Sequence, residues 1–208
     1  SAASDVYKRQ AAACAKLLGL PQNDIIVCST GVIGQRLNIE CIEANLHTLT
    51  LSPNGSDAAA TAIITTDTTE KSAAVSFPVG GKICHLGGIC KGSGMIHPNM
   101  GTMLCFLTTD CAIDGDLLQT LLHKAVQKSF NRVSVDGDTS TNDTCCILAN
   151  GLAANETITD AEAATVFYEA LEAVCITLAR KIAGDGEGAS RLMTCTIHGA
   201  RDEDLSLI

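Results

Sequence analysis

The segment from Lys91 to Asp110 contains the residue pair whose types and order could perform covalent chemistry. A glycine-rich stretch, KGSGMIHPNM, runs into Gly101 and Thr102, and an apolar run follows. Gly101 has no Cβ and therefore permits a strained peptide geometry. If the Gly101–Thr102 bond is cut, Thr102 becomes an N-terminal residue whose hydroxyl is a nucleophile and whose α-amine is the base. Taken alone, the pair is explained more readily by a threonine that opens a strand.

Two further polar segments offer groups that could surround such a nucleophile. STGVIG, residues 29–34, is a small polar turn at the end of the apolar run 25–28, where backbone N–H groups can stabilise an oxyanion. TTDTTEK places Thr65 and Thr66 beside Asp67, which is typical of a polar site wall. Taken alone, ordinary turn and capping roles explain each segment more readily.

Two loops carry clustered carboxylates. DGDTSTNDT, residues 136–144, resembles a calcium loop but lacks the downstream glutamate that such a loop needs. GDGEG presents Glu187 between glycines, where its carboxylate could reach an ammonium group, although a solvated loop is the simpler interpretation. The five histidines show no HxxxH or HExxH spacing, and the 11 cysteines form no CxxC pair. We therefore expect no metal site and no resident cofactor, with the cysteines reduced and used as small core residues.

Charge and hydropathy narrow the classes of partner. The chain has 208 residues and a formal net charge of −9, which argues against binding to nucleic acid or to an anionic membrane surface. No apolar run reaches the roughly 18 residues that suggest a membrane span. The reduced cysteines favour a cytoplasmic protein.

The hydrophobic patterns alternate between helical and strand periods along the whole chain, which predicts a mixed α/β (α+β) domain with one continuous core. Thr159 and Glu162 predict a capping box for the longest helix. Residues 1–10 are polar and without a pattern, so we interpret them as a non-native leader, and both ends look truncated. Helices are predicted over 11–18, 38–49, 116–126 and 160–182, and strands over 25–28, 73–79, 82–89, 103–107, 132–135 and 191–198. Residues 58–65 fit a helix or a strand, and 145–148 fit a strand or the start of a buried helix.

Five segments in order, STGVIG, TTDTTEK, KGSGMIHPNMGTML, VDGDTSTNDT and DGEGAS, resemble the ornithine acetyltransferase (glutamate N-acetyltransferase) family of arginine biosynthesis. The resemblance covers residues 11–208. It implies a layered α/β sandwich with a self-cleaving architecture like that of N-terminal nucleophile enzymes. Cleavage before Thr102 would separate 11–101, the C-terminal part of an α subunit, from 102–208, the N-terminal part of a β subunit. The two products would stay together as an α2β2 heterotetramer.

The resemblance also implies roles for individual residues. Thr102 would take the acetyl group from N2-acetylornithine and pass it to glutamate in a ping-pong reaction. Whether acetyl-CoA is an additional donor stays open. The oxyanion hole would fall on Thr30 and Gly31. The substrate contacts would fall on Thr65 or Thr66, Lys91, Thr102 and Glu187.

The chain departs from the family pattern in two ways. Glycine replaces the commoner alanine before Thr102, which keeps a small residue there. The N-terminal part of the first subunit and the C-terminal part of the second are absent, so we expect this chain to be an inactive fragment of an active transferase. Two other classes fit the cleavage motif: a self-cleaving amidase or aminopeptidase, and a non-catalytic relative that binds acetylated amino acids.

Overall fold

A computed structural model describes residues 2–32, 34–97, 103–140 and 142–199. The chain forms two compact units, Ser1–Asp57 and Ala58–Ile208, where the sequence predicted one continuous core. Gly101 and Thr102 lie outside the described residues, so the division into subunits at that bond stays a prediction.

The first unit contains helix α1, Ala2–Leu18, and helix α2, Ile39–Asn45, with short 3-10 turns after each. Helix α1 begins at Ala2 instead of residue 11, and it ends where predicted because Gly19 has φ +68°. Arg9 binds Glu40 and Glu43 of α2 through its guanidinium, which orders a segment that lacks hydrophobic periodicity. The interpretation of residues 1–10 as a non-native leader stays a prediction.

The predicted strand over 25–28 is wrong. These residues follow the 3-10 turn Gln22–Asp24 as irregular chain, and Ile26 is 58% exposed. An apolar run forms a strand only where a neighbouring strand can pair its backbone groups, and none of the described residues does so here. Thr30 and Gly31 therefore follow an irregular segment, which differs from the strand end that the sequence suggested.

The second unit is a four-stranded sheet covered by helices, which confirms the predicted mixed α/β class. The strands lie in the order β1-β2-β3-β4; the first three are antiparallel, and β4 runs parallel to β3. Its elements are α3 (Ser56–Ile63, which starts at the boundary between the units), β1 (Lys71–Val79), β2 (Lys82–Lys91), β3 (Leu104–Thr109), α4 (Gly115–Lys128), β4 (Thr144–Ala149) and α5 (Ala161–Gly184).

The core of this unit lies between the sheet and the helices α4 and α5. Phe77 of β1 and Phe167 of α5 meet edge to face with ring centroids 5.8 Å apart. Five cysteines belong to this core as small apolar side chains, as the sequence predicted, and burial raises the pKa of Cys90 to about 12. These five are Cys84, Cys90, Cys105, Cys111 and Cys175.

Two predicted strands of the second unit are also wrong. Arg132 ends the 3-10 turn Phe130–Arg132 and residues 133–135 continue as a loop, although Val133 is buried as an apolar pattern requires. Residues 191–198 are exposed irregular chain, and Met193 is 87% exposed. Both segments have the right composition for a strand, but the described residues give them no strand partner.

The start of α5 differs from the predicted capping box and can be tested. Asp160, not Thr159, is the N-cap, and its carboxylate accepts a hydrogen bond of 2.9 Å from the Ala163 N–H. We expect Asp160→Ala to lower the free energy of unfolding by about 1 kcal/mol, because a helix N–H loses its acceptor. Thr159→Ala is the matched control and should change it by less than about 0.5 kcal/mol. Chemical denaturation of the two variants measures the difference; equal losses would restore the threonine cap.

Candidate functional site

A fully buried lysine joins three segments of the second unit. Lys71, the first residue of β1, has no exposed side-chain surface. Its Nζ lies 2.7 Å from Asp67 Oδ1 and 2.5 Å from Asp185 Oδ2, and it also donates to the Thr69 carbonyl at 3.2 Å. A buried ammonium group is tolerated only when it is paired and hydrogen-bonded. The cluster therefore fixes the TTDTTEK turn, the start of β1 and the end of α5 to one another.

Asp67 also binds the residue that follows β2. Its Oδ1 accepts a hydrogen bond of 2.7 Å from the Gly92 N–H, and its Oδ2 accepts one of 3.3 Å from the Thr65 N–H. Burial alone would raise the pKa of the Asp67 carboxyl, but the Gly92 N–H and the Lys71 ammonium outweigh it and lower the pKa. Asp67 is therefore an ionised carboxylate that fixes the position of Gly92.

Asp185 closes the cluster from the other side. Its carboxylate accepts hydrogen bonds from the Thr68 N–H at 2.9 Å and from the Thr68 hydroxyl. Burial acts to raise the pKa of Asp185, but the hydrogen bonds from Lys71 and then Thr68 prevail and lower it to about 2. The carboxylate therefore stays ionised at any pH near neutrality, and the loop that follows α5 is attached to the TTDTTEK turn.

Lys91 is nearly buried but only loosely paired. The residue is 3% exposed, and its Nζ lies 3.7 Å from Asp67 Oδ2, which is longer than a direct hydrogen bond. Asp67 is the only carboxylate within ion-pair distance that the described residues offer it. An ammonium group carries three donors and loses solvation when it is buried, so Lys91 can bind a further anionic acceptor.

The loop after Lys91 gathers two more of the predicted residues. The hydroxyls of Thr66 and Ser93 lie 2.6 Å apart, and the Glu187 N–H donates to the Ser93 carbonyl at 2.6 Å. A Cβ at Gly94 would lie only 2.6 Å from Glu187 Oε2, so a larger residue would displace that carboxylate. Thr66 and Glu187 therefore both contact the loop 93–94, which follows Lys91 in the chain, and the Glu187 carboxylate lies over Gly94.

Other predicted residues lie elsewhere. Thr65 contributes its backbone N–H to Asp67. Thr30 is half-buried and Gly31 exposed within the first unit, and their role as an oxyanion hole stays a prediction. Thr102, the predicted nucleophile, lies outside the described residues, as does Gly101.

Sequence reasoning missed Lys71, Ser93 and Asp185. Asp67 and Lys71 lie four residues apart, but one is in a turn and the other opens a strand, so the helical spacing rule gave no signal for their ion pair. Asp185 gave no signal, because its partner lies 114 residues away in the sequence.

The described residues could bind a metal ion or enter a membrane only through what their side chains and helices offer. They contain no group of three or more histidine, cysteine, aspartate or glutamate side chains placed to hold a metal ion. None of their helices combines the length and apolar character needed to cross a membrane.

Comparison with known proteins identifies the family of the chain. The family model described as "ArgJ family" matches residues 2–206. The Arginine biosynthesis bifunctional protein ArgJ of Gloeobacter violaceus is 47% identical over 91% of this chain and 48% of the relative. The Glutamate N-acetyltransferase of Methanocaldococcus jannaschii is 46% identical over 91% of this chain and 48% of the relative. The chain thus spans about half the length of the curated relatives it matches.

Among solved structures, the crystal structure of Arginine biosynthesis bifunctional protein argJ from Bacillus halodurans is 50% identical to the chain. The match covers 43% of each chain with a TM-score of 0.42.

The buried cluster predicts a large effect of removing its shared cation. Lys71→Met would leave the carboxylates of Asp67 and Asp185 buried without their ammonium partner, so we expect a loss of about 3–5 kcal/mol in unfolding free energy. Lys82→Met, at the exposed first residue of β2, makes the same change and should cost less than about 0.5 kcal/mol. Urea unfolding of the full-length protein measures both; similar losses would show that the cluster contributes little.

Proposed function

Because this chain belongs to the ArgJ family, we propose that the full-length protein transfers an acetyl group from N2-acetylornithine to glutamate in arginine biosynthesis. The observation that carries the proposal is that Thr66 and Glu187 both contact the loop directly after Lys91, whose nearly buried ammonium group is only loosely paired. This loop leads within a few residues to Thr102. A substrate held there by its charges would lie beside the stretch of chain that carries the threonine.

The nucleophile is made by self-cleavage. The Thr102 hydroxyl attacks the carbonyl carbon of Gly101, the peptide C–N bond breaks, and the nitrogen takes up the hydroxyl proton. The resulting ester between Gly101 and the Thr102 oxygen is hydrolysed by water, which leaves a carboxylate on Gly101 and a free hydroxyl on Thr102. Thr102 then has an α-amine of its own, which serves as the general base for its hydroxyl.

Acetyl transfer proceeds in two half-reactions. The Thr102 oxygen attacks the acetyl carbonyl of N2-acetylornithine, the amide C–N bond breaks, and ornithine leaves with the proton that the α-amine relays. The α-amine of glutamate then attacks the acetyl ester, which forms N-acetylglutamate and restores the threonine hydroxyl. Thr30 and Gly31 would hold the negative oxygen in both steps through donors aimed at it.

The charges of the site assign the two ends of the substrate. The Lys91 ammonium is incompletely paired by Asp67, so it can bind the α-carboxylate that N2-acetylornithine and glutamate share. Glu187 is exposed and carries its carboxylate over Gly94, so it receives the side-chain ammonium of ornithine. Glutamate has no such group, so Glu187 discriminates the donor from the acceptor.

Further features of the proposal concern the whole assembly. The two chains formed by cleavage stay together as an α2β2 heterotetramer. The Gloeobacter relative is named a bifunctional protein, and for the second activity of this protein we propose acetyl-CoA as an additional acetyl donor to Thr102. Incubating the full-length protein with acetyl-CoA and glutamate tests this part alone.

The role of Thr102 as the nucleophile can be tested in the full-length protein. Thr102→Ala should abolish both self-cleavage and acetyl transfer, because the attacking oxygen is lost, whereas Thr102→Ser should retain part of both. Intact-mass spectrometry follows cleavage, and incubation with N2-acetylornithine and glutamate follows transfer. Thr157→Ala, an exposed loop threonine, is the control and should behave as wild type.

The same assays decide between the candidate classes. A self-cleaving amidase would release free acetate without forming N-acetylglutamate. A protein that only binds acetylated amino acids would remain one uncut chain. Either result in the wild-type protein would contradict the transferase proposal.

Substitutions can separate the roles of Lys91 and Glu187. Lys91→Met should raise the KM for both N2-acetylornithine and glutamate by about tenfold or more, because a charge-assisted hydrogen bond of about 1.5–3 kcal/mol is lost for each substrate. Glu187→Gln should raise the KM for N2-acetylornithine alone. Steady-state kinetics with each substrate varied in turn measures the pattern, with Lys82→Met as the control. An equal effect of Glu187→Gln on glutamate would refute the assignment of its carboxylate.

A further inference from the structure

The chain before the predicted cleavage bond is held by an aspartate of the loop 136–144. The Asp136 carboxylate accepts hydrogen bonds from the N–H groups of Met95 and of Ile96, the latter at 3.0 Å. Met95 has φ +55°, a conformation that a residue with a side chain adopts rarely and only when its surroundings hold it there. The Val135 N–H also donates to the Ile96 carbonyl at 2.8 Å. The position of residues 95–96 is thus set by contacts from 135–136.

The chain after the bond is held by the other end of the same loop. The Met103 N–H donates to Asp143 Oδ1 at 2.8 Å, and the Met103 carbonyl accepts from the Thr144 N–H at 3.0 Å. The Met103 side chain belongs to the core and is 3% exposed. Both backbone groups and the side chain of this residue are therefore fixed. Its nitrogen is bonded directly to the carbonyl carbon of Thr102.

We propose that Asp143 is a positioning residue for Thr102, which acts by holding the Met103 N–H. The inference rests on the proposed function and deepens it. Asp136 holds the other side of the same segment, so the loop 136–144 secures both sides of the bond. The sequence DGDTSTNDT resembles a calcium loop, but two of its carboxylates accept hydrogen bonds from backbone N–H groups.

The surroundings of Asp143 suit an acceptor. Burial raises the pKa of its carboxyl, and the hydrogen bonds from the Met103 N–H and from the Ser140 side chain offset only part of that rise. Holding the Met103 N–H requires an acceptor oxygen at the Oδ1 position and no negative charge, so the amide oxygen of an asparagine can replace the carboxylate oxygen. A displacement of about 1 Å in a reacting group can slow a reaction about 100-fold, which sets the size of the expected effect.

The experiment compares variants of the full-length protein. Asp143→Ala removes the acceptor, Asp143→Leu removes it but keeps the branched shape of the side chain, and Asp143→Asn keeps the acceptor. Asp138→Ala changes an exposed aspartate of the same loop and is the matched control. The rate of self-cleavage is followed by intact-mass spectrometry, and kcat and KM are measured on the cleaved protein. Circular dichroism checks that each variant is folded.

We expect the alanine and leucine variants to cleave about 100-fold more slowly than wild type and to show a similar fall in kcat. The KM for N2-acetylornithine should stay within about twofold, because Asp143 does not contact the substrate. Rescue by Asp143→Asn, to within about fivefold of wild type, would support the acceptor role. The Asp138→Ala variant should match wild type.

Three outcomes would overturn the inference. Wild-type rates in a folded alanine or leucine variant would show that the Met103 N–H needs no acceptor. An asparagine variant as slow as the alanine variant would show that the acceptor oxygen is not what matters. A leucine variant that is mostly unfolded, but whose remaining soluble and folded fraction cleaves at the wild-type rate, would make the residue purely structural. Failure of the wild-type protein itself to cleave or to transfer acetyl would instead refute the proposed function.

Discussion

The burial of the Lys71 ammonium is the constraint on which the site depends. A fully buried cation must find carboxylates, and the two that it finds come from segments far apart in sequence, before β1 and after α5. Because Asp67 also accepts the Gly92 N–H, the charge balance of the cluster determines where β2 ends. The loop 92–94 then has little freedom, since Thr66 and Glu187 hold Ser93 from two sides.

The same cluster explains why Lys91 is left receptive. Lys71 and the Gly92 N–H both use Asp67 Oδ1, and the Thr65 N–H uses Oδ2, to which Lys91 approaches no closer than 3.7 Å. Asp185 is occupied by Lys71 and Thr68. The carboxylates of the cluster are therefore engaged before Lys91 is satisfied, and an incoming carboxylate would relieve its incomplete pairing. Lys71 reaches Asp67 directly and forms a structural ion pair with it, whereas Lys91 stays farther away and is therefore the ammonium group that could bind a ligand.

Sequence patterns predicted the helices and strands whose formation depends on neighbouring residues in the chain. The period-2 alternation found β1 and β2, and the helical stripe found α5, because each pattern reports one buried face of one element. The same reasoning failed at 25–28, 132–135 and 191–198, where the composition suits a strand but pairing depends on a partner elsewhere. The ordered motifs pointed to Thr66, Lys91 and Glu187, whereas Asp185 could not be found, since only the fold brings it to Lys71. Polar clusters assembled over long sequence distances leave no periodic trace.

A self-cleaving bond makes an unusual demand on a fold, because the segment must be held firmly enough for its own hydroxyl to reach its own carbonyl. Support on one side alone would let the chain pivot about that anchor. Asp136 and Asp143 lie in one loop, so the separation between their two points of attachment, at Met95–Ile96 and at Met103, is limited by a short length of covalent chain. Such a separation is less sensitive to breathing of the sheet than one set by packing between distant elements. The loop also continues directly into β4, whose pairing with β3 starts at Leu104, so the second anchor is continuous with the sheet itself. In the proposed mechanism, Asp143 would link Thr102 to the sheet through Met103, and Asp67 would link the substrate-binding segment to the buried Lys71.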